Sequence, residues 1–421
     1  MRLAVAQMPS SVLVNAKLVG CDVAIAGGGM VGLSLAAALA DLPLDVVVIE
    51  PVAPGADEQP SFDSRTTALS AGSQRVLEGI GAWAAVAAGA TPIRRIHVSE
   101  RGAFGTAVLT GEEQGVASLG YTVENRLLGQ SLRARVGASQ RIRLCHARVA
   151  KLAALTDAIR IETDGGEAFD ARLVVAADGA QSAVRTALGV GAGISDYGQQ
   201  AVIAHVDTSR FHDHTAYERF MPEGPVAVLP IGEGRSAIVW AMAPDAARRA
   251  IGLDDSAFLA ELQAAFGLRL GRFTRIGKRQ AYPLALTRAE RLTAPRAVII
   301  GNAAQSLHPV AGQGFNLALR DVALLAELLA DAAAGDPGDP ALLARYAAER
   351  APDREAVIRF TDALVRGFGL PLAPLRRARG RGLLLFDLLR PVKHEFARRT
   401  MGLAGRQPRL VRGLPLLHRR A

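Results

Sequence analysis

Residues 22–50 constrain the fold more than any other stretch of this chain. Asp22-Val23-Ala24-Ile25-Ala26 is the short apolar run that a buried parallel strand needs, and it feeds directly into Gly27-Gly28-Gly29-Met30-Val31-Gly32. A helical stretch from Leu33 to Ala40 follows, then a second β run, Val46-Val47-Val48-Ile49, that ends in Glu50. Strand, glycine turn, helix, strand and acid occur in the order of a dinucleotide-binding βαβ unit. Gly27 serves the tight turn, Gly29 lets the backbone approach a pyrophosphate, and Gly32 lets helix and strand pack closely. The helix N-terminus at Met30 and Val31 offers N–H groups and partial positive charge to a phosphate. Glu50 suits a ribose diol without a 2′-phosphate, hence FAD or NAD rather than NADP. The motif alone does not separate FAD from NAD.

Two later blocks repeat the theme. Ala171-Arg172-Leu173-Val174-Val175-Ala176-Ala177 reads as a strand and ends in Asp178-Gly179-Ala180, with Ser182 and Arg185 beyond. Ala297-Val298-Ile299-Ile300 reads as another and ends in Gly301-Asn302-Ala303-Ala304-Gln305, then Leu307-His308-Pro309. Ala311-Gly312-Gln313-Gly314-Phe315-Asn316 next opens a helix that contains Arg320 and Asp321. A simple NAD dehydrogenase has no need of a glycine-rich loop so late in the chain. A flavin does: one helix N-terminus serves the pyrophosphate, and another stabilises negative charge near N1 and C2=O of the reduced ring system. Between these blocks, residues 202–242 alternate apolar and polar in short runs, with turns at Pro222-Glu223-Gly224 and Gly232-Glu233-Gly234, the pattern of antiparallel hairpins. From Asp321 to Phe368 the apolar spacing is helical.

Together the three blocks resemble those of the group A flavoprotein aromatic hydroxylases, over about residues 21–368. Phe62-Asp63-Ser64-Arg65-Thr66-Thr67-Ala68-Leu69 is similar to the D-x-R-x-x-A-L segment of the ubiquinone-biosynthesis branch. The Gly301–Gln305 and Leu307-His308-Pro309 runs look most like the 2-octaprenyl-6-methoxyphenol hydroxylases of that branch. The wider family has Asp where this chain has Asn302, whose amide still hydrogen-bonds a ribityl chain but brings no charge. The resemblance implies an α/β, p-hydroxybenzoate hydroxylase-like fold: a Rossmann-type FAD domain with an inserted antiparallel-sheet substrate domain and C-terminal helices. The expected division is an N-terminal extension (1–18), FAD domain (19–192, returning at 283–368), substrate domain (193–282) and basic C-terminal segment (369–421).

It also implies the chemistry and the residues. NAD(P)H reduces bound FAD, O₂ yields a flavin C4a-hydroperoxide, and oxygen passes to the ring of a polyprenylated phenol. No second GxGxxG occurs, which fits transient NAD(P)H binding. Gly27, Gly29, Met30, Val31 and Gly32 match the pyrophosphate loop, and Glu50 the adenosine-ribose acid. Arg126 and Gln130, on a helix expected over Glu124–Arg135, match positions that face FAD. Asp178 and Gly179 match a block associated with both FAD and NAD(P)H. Asn302 matches the ribityl contact, and Gly312, Gln313, Gly314, Phe315 and Asn316 the loop against the pyrimidine edge of the flavin. Arg65 matches an Arg beside the mobile flavin, with an ion pair to Asp63 as its alternative. His308 is either a proton-transfer group or a packing residue, and Pro309 shapes its loop. Tyr282 is the expected substrate contact. No metal is expected: His212 and His214 lack a third ligand and read as an exposed loop.

Composition bounds the rest. The 421 residues carry a formal net charge of +9, which by itself suits a nucleic-acid or membrane binder. The charge is local, however. Residues 366–421 hold 14 of the 49 Lys and Arg but 2 of the 40 acids, so the remaining chain is net −3. Aromatics beyond Phe368 are Phe386 and Phe396 alone, unlike the interleaved pattern of RNA binders, so no nucleic-acid partner is expected. Leu383-Leu384-Leu385-Phe386 and Leu388-Leu389 lie between Arg376, Arg377, Arg379, Arg381 and Arg390, Lys393. That mix suits either an interfacial segment on anionic lipid or a helical cap packed on the flavin domain. Other ubiquinone-biosynthesis proteins are a further candidate partner. Cys21 and Cys145 form no CxxC pair and read as reduced thiols. No spanning apolar run occurs and Met1–Lys17 makes a poor signal peptide, so the expectation is a cytoplasmic protein peripheral to the inner membrane. The rival flavoproteins are a catabolic aromatic hydroxylase, a prenyl reductase and a halogenase. The isolated Trp83 and Trp240 do not supply the W-x-W-x-I-P run expected of a halogenase.

Overall fold

The computed structural model describes residues 18–53, 63, 65–332, 335–369 and 373–417. The N-terminal extension, and Phe62 and Ser64 of the D-x-R segment, lie outside them. Strand Leu18–Ala26 is central, paired in parallel with Ala168–Ala176 on one side and Val46–Ile49 on the other. Ala168–Ala176 continues in parallel to Ala297–Ile299, and Val46–Ile49 to Ile142–Cys145. The register sets Ala26 opposite Ala176, and Ala176 opposite Ile299. The glycine blocks that follow these strands therefore emerge side by side at one sheet edge, where open α/β sheets bind ligands. Strand residues Val23, Ala24, Ile25, Leu173, Val174 and Val175 are fully buried, as strands covered on both faces must be. Helices Met30–Leu39 and Gln313–Asp331 bury apolar faces in the same core, and the alanines of the first let it lie close to the sheet. Cys21 and Cys145 are buried and unpaired.

A second, nine-stranded sheet stands beyond this core. Its long strand Ala192–Thr208 pairs antiparallel with Gln280–Ala289 and Ser236–Met242. Ser236–Met242 leads through Val226–Pro230 to Thr215–Phe220, and both expected turns fall between these strands. Thr215–Phe220 then pairs in parallel with Arg95–Glu100, which pairs with Thr106–Thr110. This sheet thus recruits two strands from inside residues 19–192 and draws on more than 193–282. A parallel pairing between segments more than a hundred residues apart leaves no local mark in the sequence. His212 is buried rather than on an exposed loop: its Nε2 lies 3.1 Å from Ile231 O and its Nδ1 accepts the His214 N–H at 3.1 Å, so it pins a turn. Helices Pro340–Gly369, Ala373–Leu388 and Arg390–Thr400 close the molecule over the junction of the two sheets.

Candidate active site

The first glycine block is a cradle that side chains would fill. Gly27 sits at φ +105°, and a Cβ there would lie 2.5 Å from Ala177 O. A Cβ on Gly32 would come within 1.9 Å of Gly27 O, and one on Gly28 within 2.7 Å of Glu50 Cβ. Glu50 fastens the turn: its carboxylate accepts the Gly28 N–H at 2.6 Å and the Val52 N–H at 3.0 Å. Helix Met30–Leu39 opens at Gly29 with no side-chain cap and no acid in its first turn. The first-turn N–H groups of Met30, Val31 and Gly32 have no acceptor inside the helix. An uncapped helix end above a bare backbone cradle fits a pyrophosphate.

The second block is held by the chain's own hydrogen bonds. Asp178 accepts the Ser182 hydroxyl and the Val184 N–H (3.0 Å), so it organises the short helix Ala183–Ala187. Gly179 has φ +93°. Buried Arg185 donates to Ala180 O at 3.1 Å and to Ala303 O at 2.8 Å, which ties the second block to the third. Helix Asn125–Gly137 presents Arg126 and Gln130, one turn apart and both exposed. Its start is held by the segment before strand Thr66–Ser70, with Asn125 N–H on Arg65 O (2.8 Å) and Arg126 N–H on Asp63 O (3.1 Å). Arg65 makes the Asp63 ion pair at 2.6 Å and also sets its guanidinium 4.6 Å from the Tyr282 ring centroid. Tyr282 in turn donates to Gln280 Oε1 at 3.0 Å.

In the third block, Asn302 projects from the Gly301–Ala303 turn and is exposed. Behind it lies a buried ionic network that the sequence did not signal. Asp321 accepts from Arg350 Nε at 2.7 Å and from Gln305 Nε2 at 2.9 Å. Arg354 donates to Gln305 Oε1 at 3.0 Å and to the Ala289 and Ala304 carbonyls. Arg320 and Arg350 both reach Asp353, at 2.9 and 2.8 Å. His308 is buried, its Nε2 3.2 Å from Gln199 Oε1 while Nδ1 accepts the Val310 N–H at 3.1 Å. Burial pushes its pKa down to about 4, so the ring is neutral with both nitrogens engaged. It is a latch between the Pro309 loop and the second sheet.

Beyond Pro309, Ala311 and Gly312 both adopt left-handed backbone (φ +60° and +59°), and Gly312 caps helix Gln313–Asp331 without a side-chain bond. Asn316 accepts the Ser70 N–H and donates to Ala68 O and Gly312 O, so it fixes the loop against strand Thr66–Ser70. Gln313 donates to Ala311 O at 3.1 Å and to Thr400 O at 3.3 Å, while its Oε1 is buried with no partner among the described residues. Gly314 and Phe315 stand half-buried on the same first turn.

This loop forms one end of a cavity of about 250 Å³. Its walls are apolar, among them Leu69, Ile96, Phe220, Phe360, Leu383 and Phe386. Glu218 reaches the cavity from strand Thr215–Phe220, and burial pushes its carboxyl up to about 7. The alternation of that strand marks Glu218 as facing Phe220's side, but sequence alone does not reveal that this side is a cavity. Arg65, Tyr282 and His308 are not among the residues lining it.

The FAD binding domain family (FAD_binding_3) matches residues 20–361. The chain is 41% identical over 402 residues to ubiquinone hydroxylase UbiL of Rhodospirillum rubrum, across 94% of this chain and 93% of that protein. The chain belongs to the FAD-binding ubiquinone hydroxylase family. This family member is also 35% identical over 394 residues to the 3-demethoxyubiquinol 3-hydroxylase of Escherichia coli K12, across 91% of this chain and 98% of that one. Among solved structures, p-nitrophenol 4-monooxygenase PnpA from Pseudomonas putida DLL-E4 matches with a TM-score of 0.77 at 18% identity, covering 93% of this chain and 99% of its own. PqsL from Pseudomonas aeruginosa matches at 0.71 and 22% identity, covering 86% of this chain and 100% of its own. The family member thus has the fold of the FAD-dependent aromatic hydroxylases. FAD also fits the residues present: the bare glycine cradle and the uncapped helix end meet at the carboxyl ends of the parallel strands, and Gln313 of the third block keeps a buried carbonyl oxygen with no partner among the described residues.

Proposed function

We propose that this FAD-dependent monooxygenase hydroxylates the ring of a polyprenylated phenol in ubiquinone biosynthesis, with NAD(P)H as reductant and 2-polyprenyl-6-methoxyphenol as its ring substrate. One observation carries the reading: the cavity beside the Gly312 loop is lined almost wholly by apolar side chains and holds one ionisable group among its described lining residues. Such a site takes an aromatic ring with an apolar tail and rejects a charged one. Gly27, Gly29, Met30, Val31 and Gly32 hold the pyrophosphate, Glu50 the ribose, Asn302 the ribityl chain, and Gly312 to Phe315 the edge of the ring system. The chemistry FAD supplies when bound is activation of O₂ by reduction: ring C–H, O₂, NAD(P)H and a proton give ring C–OH, water and NAD(P)⁺. The chain's own part is to exclude water and fix the ring, which the apolar walls and the closing helices do.

The purified protein should be yellow and release FAD on denaturation. With NAD(P)H, O₂ and a short-chain 2-prenyl-6-methoxyphenol it should form a product one oxygen heavier, and deleting the gene should lower ubiquinone while the methoxyphenol accumulates. Normal ubiquinone in the deletion strain would overturn the reading. Accumulation of a differently substituted prenylphenol would reassign the ring position.

A specific surface favours peripheral contact with the membrane that holds such substrates. Leu384, Leu385, Leu388, Leu389 and Val392 are exposed together on helices Ala373–Leu388 and Arg390–Thr400 and the residues between, with Arg377, Arg381 and Arg390 also exposed. Apolar groups that reach into a bilayer beside cations that meet anionic headgroups are the composition of an interfacial patch. Among the described residues no helix is long and apolar enough to cross a membrane. Vesicles containing anionic lipid should sediment the protein, and a Leu385→Glu, Leu388→Glu double variant should stay in the supernatant. Equal sedimentation of both would rule the patch out.

A further inference from the structure

Glu218 differs in kind from everything else on the cavity wall. Strand Thr215–Phe220 alternates as strands do, so Tyr217 packs into the core of the second sheet while Glu218 and Phe220 face the cavity. The polar side chains that share the wall are neutral and held by the chain, with the Gln313 Oε1 alone lacking a partner among the described residues. Ser70 Oγ bonds Ser73, the Asn316 amide bonds Ser70 N–H, Ala68 O and Gly312 O, and Gln313 Nε2 donates to Ala311 O and Thr400 O. Glu218 has no ion-pair partner among the described residues, and it shares the cavity wall with Ala311 of the loop. Strands Thr66–Ser70 and Thr106–Thr110, helix Pro340–Gly369 and helix Ala373–Leu388 turn only Ala, Leu, Ser and Phe toward the cavity, and Arg390–Thr400 turns Phe396, Ala397 and Thr400. The Glu100–Arg379 ion pair (3.1 Å) stands outside it, where Glu100 registers with Phe220 and Phe220 stacks on Phe368 at 3.8 Å.

A lone carboxyl in an apolar chamber is costly to keep and is retained where it has work to do. We propose that Glu218 is a catalytic residue whose carboxylate accepts the ring hydroxyl of the phenol and takes its proton. The inference rests on reading the cavity as the phenol site. The O–H bond breaks, its electron pair stays on the ring oxygen, and the proton moves to a Glu218 carboxylate oxygen. The ring thereby becomes electron-rich enough to accept an oxygen atom. When the carbon that received oxygen gives its own proton to water, Glu218 returns the first proton to the ring oxygen. Burial holds the carboxyl near pH 7, where it is both available as a base and strong enough to act as one. Glu218 lines the cavity together with Ala311 and Gly312 of the loop proposed to face the flavin edge.

The test uses the FAD-loaded full chain, a short-chain 2-prenyl-6-methoxyphenol, NAD(P)H and O₂. Glu218→Gln preserves shape, and its melting temperature and FAD content should match wild type. Its kcat for hydroxylation should fall roughly 100-fold, with the acid limb of the pH–rate profile near 7 lost. Glu218→Asp should recover part of the rate and keep an acid limb. Binding of the phenol, read by quenching of flavin fluorescence, should weaken with falling pH in wild type but not in Glu218→Gln. If wild type forms no product from the phenol, the reading of the cavity fails and this proposal with it. If wild type turns over and Glu218→Gln matches it within threefold with the same acid limb, the role of Glu218 alone is overturned.

Discussion

At the residue scale, His308 shows what geometry adds to a residue that sequence leaves open between two chemistries. A histidine beside a flavin loop reads equally as a proton carrier or a packing group. Its partner Gln199 lies 109 residues away, so the latch was invisible until the second sheet formed. With the folded pKa pushed from 6.5 to about 4 by burial, the unfolded chain binds the extra proton first. Stability from this group is complete above pH 6.5 and is lost as pH falls toward about 4. Urea midpoints measured across that window should decline for wild type, and His308→Gln should flatten part of the decline. The glycines, by contrast, were legible, because a positive φ or a close approach is a local demand that only glycine meets. Gly32→Ala would place a methyl 1.9 Å from Gly27 O. It should cost about 1–3 kcal/mol and yield protein with little FAD, measured by urea unfolding and by flavin absorbance after gel filtration.

At the element scale, the third block rests on helices Gln313–Asp331 and Pro340–Gly369 through charges sealed between them. Arg320 and Asp321 were visible in the sequence beside a glycine loop, whereas Arg350 and Arg354 sit in a stretch whose apolar spacing marked only a helix. Their partners are non-local, and the exposed side of an amphipathic helix carries no sign that another element will cover it. The Arg350–Asp321 pair is 5% and 4% exposed. Asp321→Ala leaves Arg350 buried without that carboxylate, and removing one partner of such a pair costs about 3–5 kcal/mol. Urea unfolding should show that loss, and Asn302 should lose its fixed position, seen as weaker FAD retention. The hairpin turns at 222–224 and 232–234 were legible from Gly and Pro alone. Strands Arg95–Glu100 and Thr106–Thr110 were not, because their pairing with Thr215–Phe220 is a property of topology.

At the scale of the whole molecule, the uneven charge is a form of assembly. The body is net −3, and the C-terminal cations seek its acids: Arg379 meets Glu100, Lys393 meets Glu113 at 3.0 Å, Arg406 meets Glu349 at 3.2 Å, and Arg409 meets Asp331. The tail is therefore a cap on the body and, at Leu384 to Val392, an exposed apolar patch, the face on which the proposed membrane contact rests. The location of the charge was legible; its partners were not. A chain ending at Gly369 loses Leu383, Phe386 and Phe396 from the cavity wall. It should bind 8-anilinonaphthalene-1-sulfonate strongly and melt several degrees lower, whereas the full chain should do neither.

Helix Ala373–Leu388 is a partition: Leu383 and Phe386 face the cavity while Leu384, Leu385 and Leu388 face outward. On the proposed membrane contact, a tail too long for the chamber crosses that partition into lipid without ever being hydrated. Turnover then obeys the two-dimensional concentration of substrate in the bilayer. Adding inert lipid at fixed total phenol would slow the reaction by surface dilution, as though the substrate had been withdrawn.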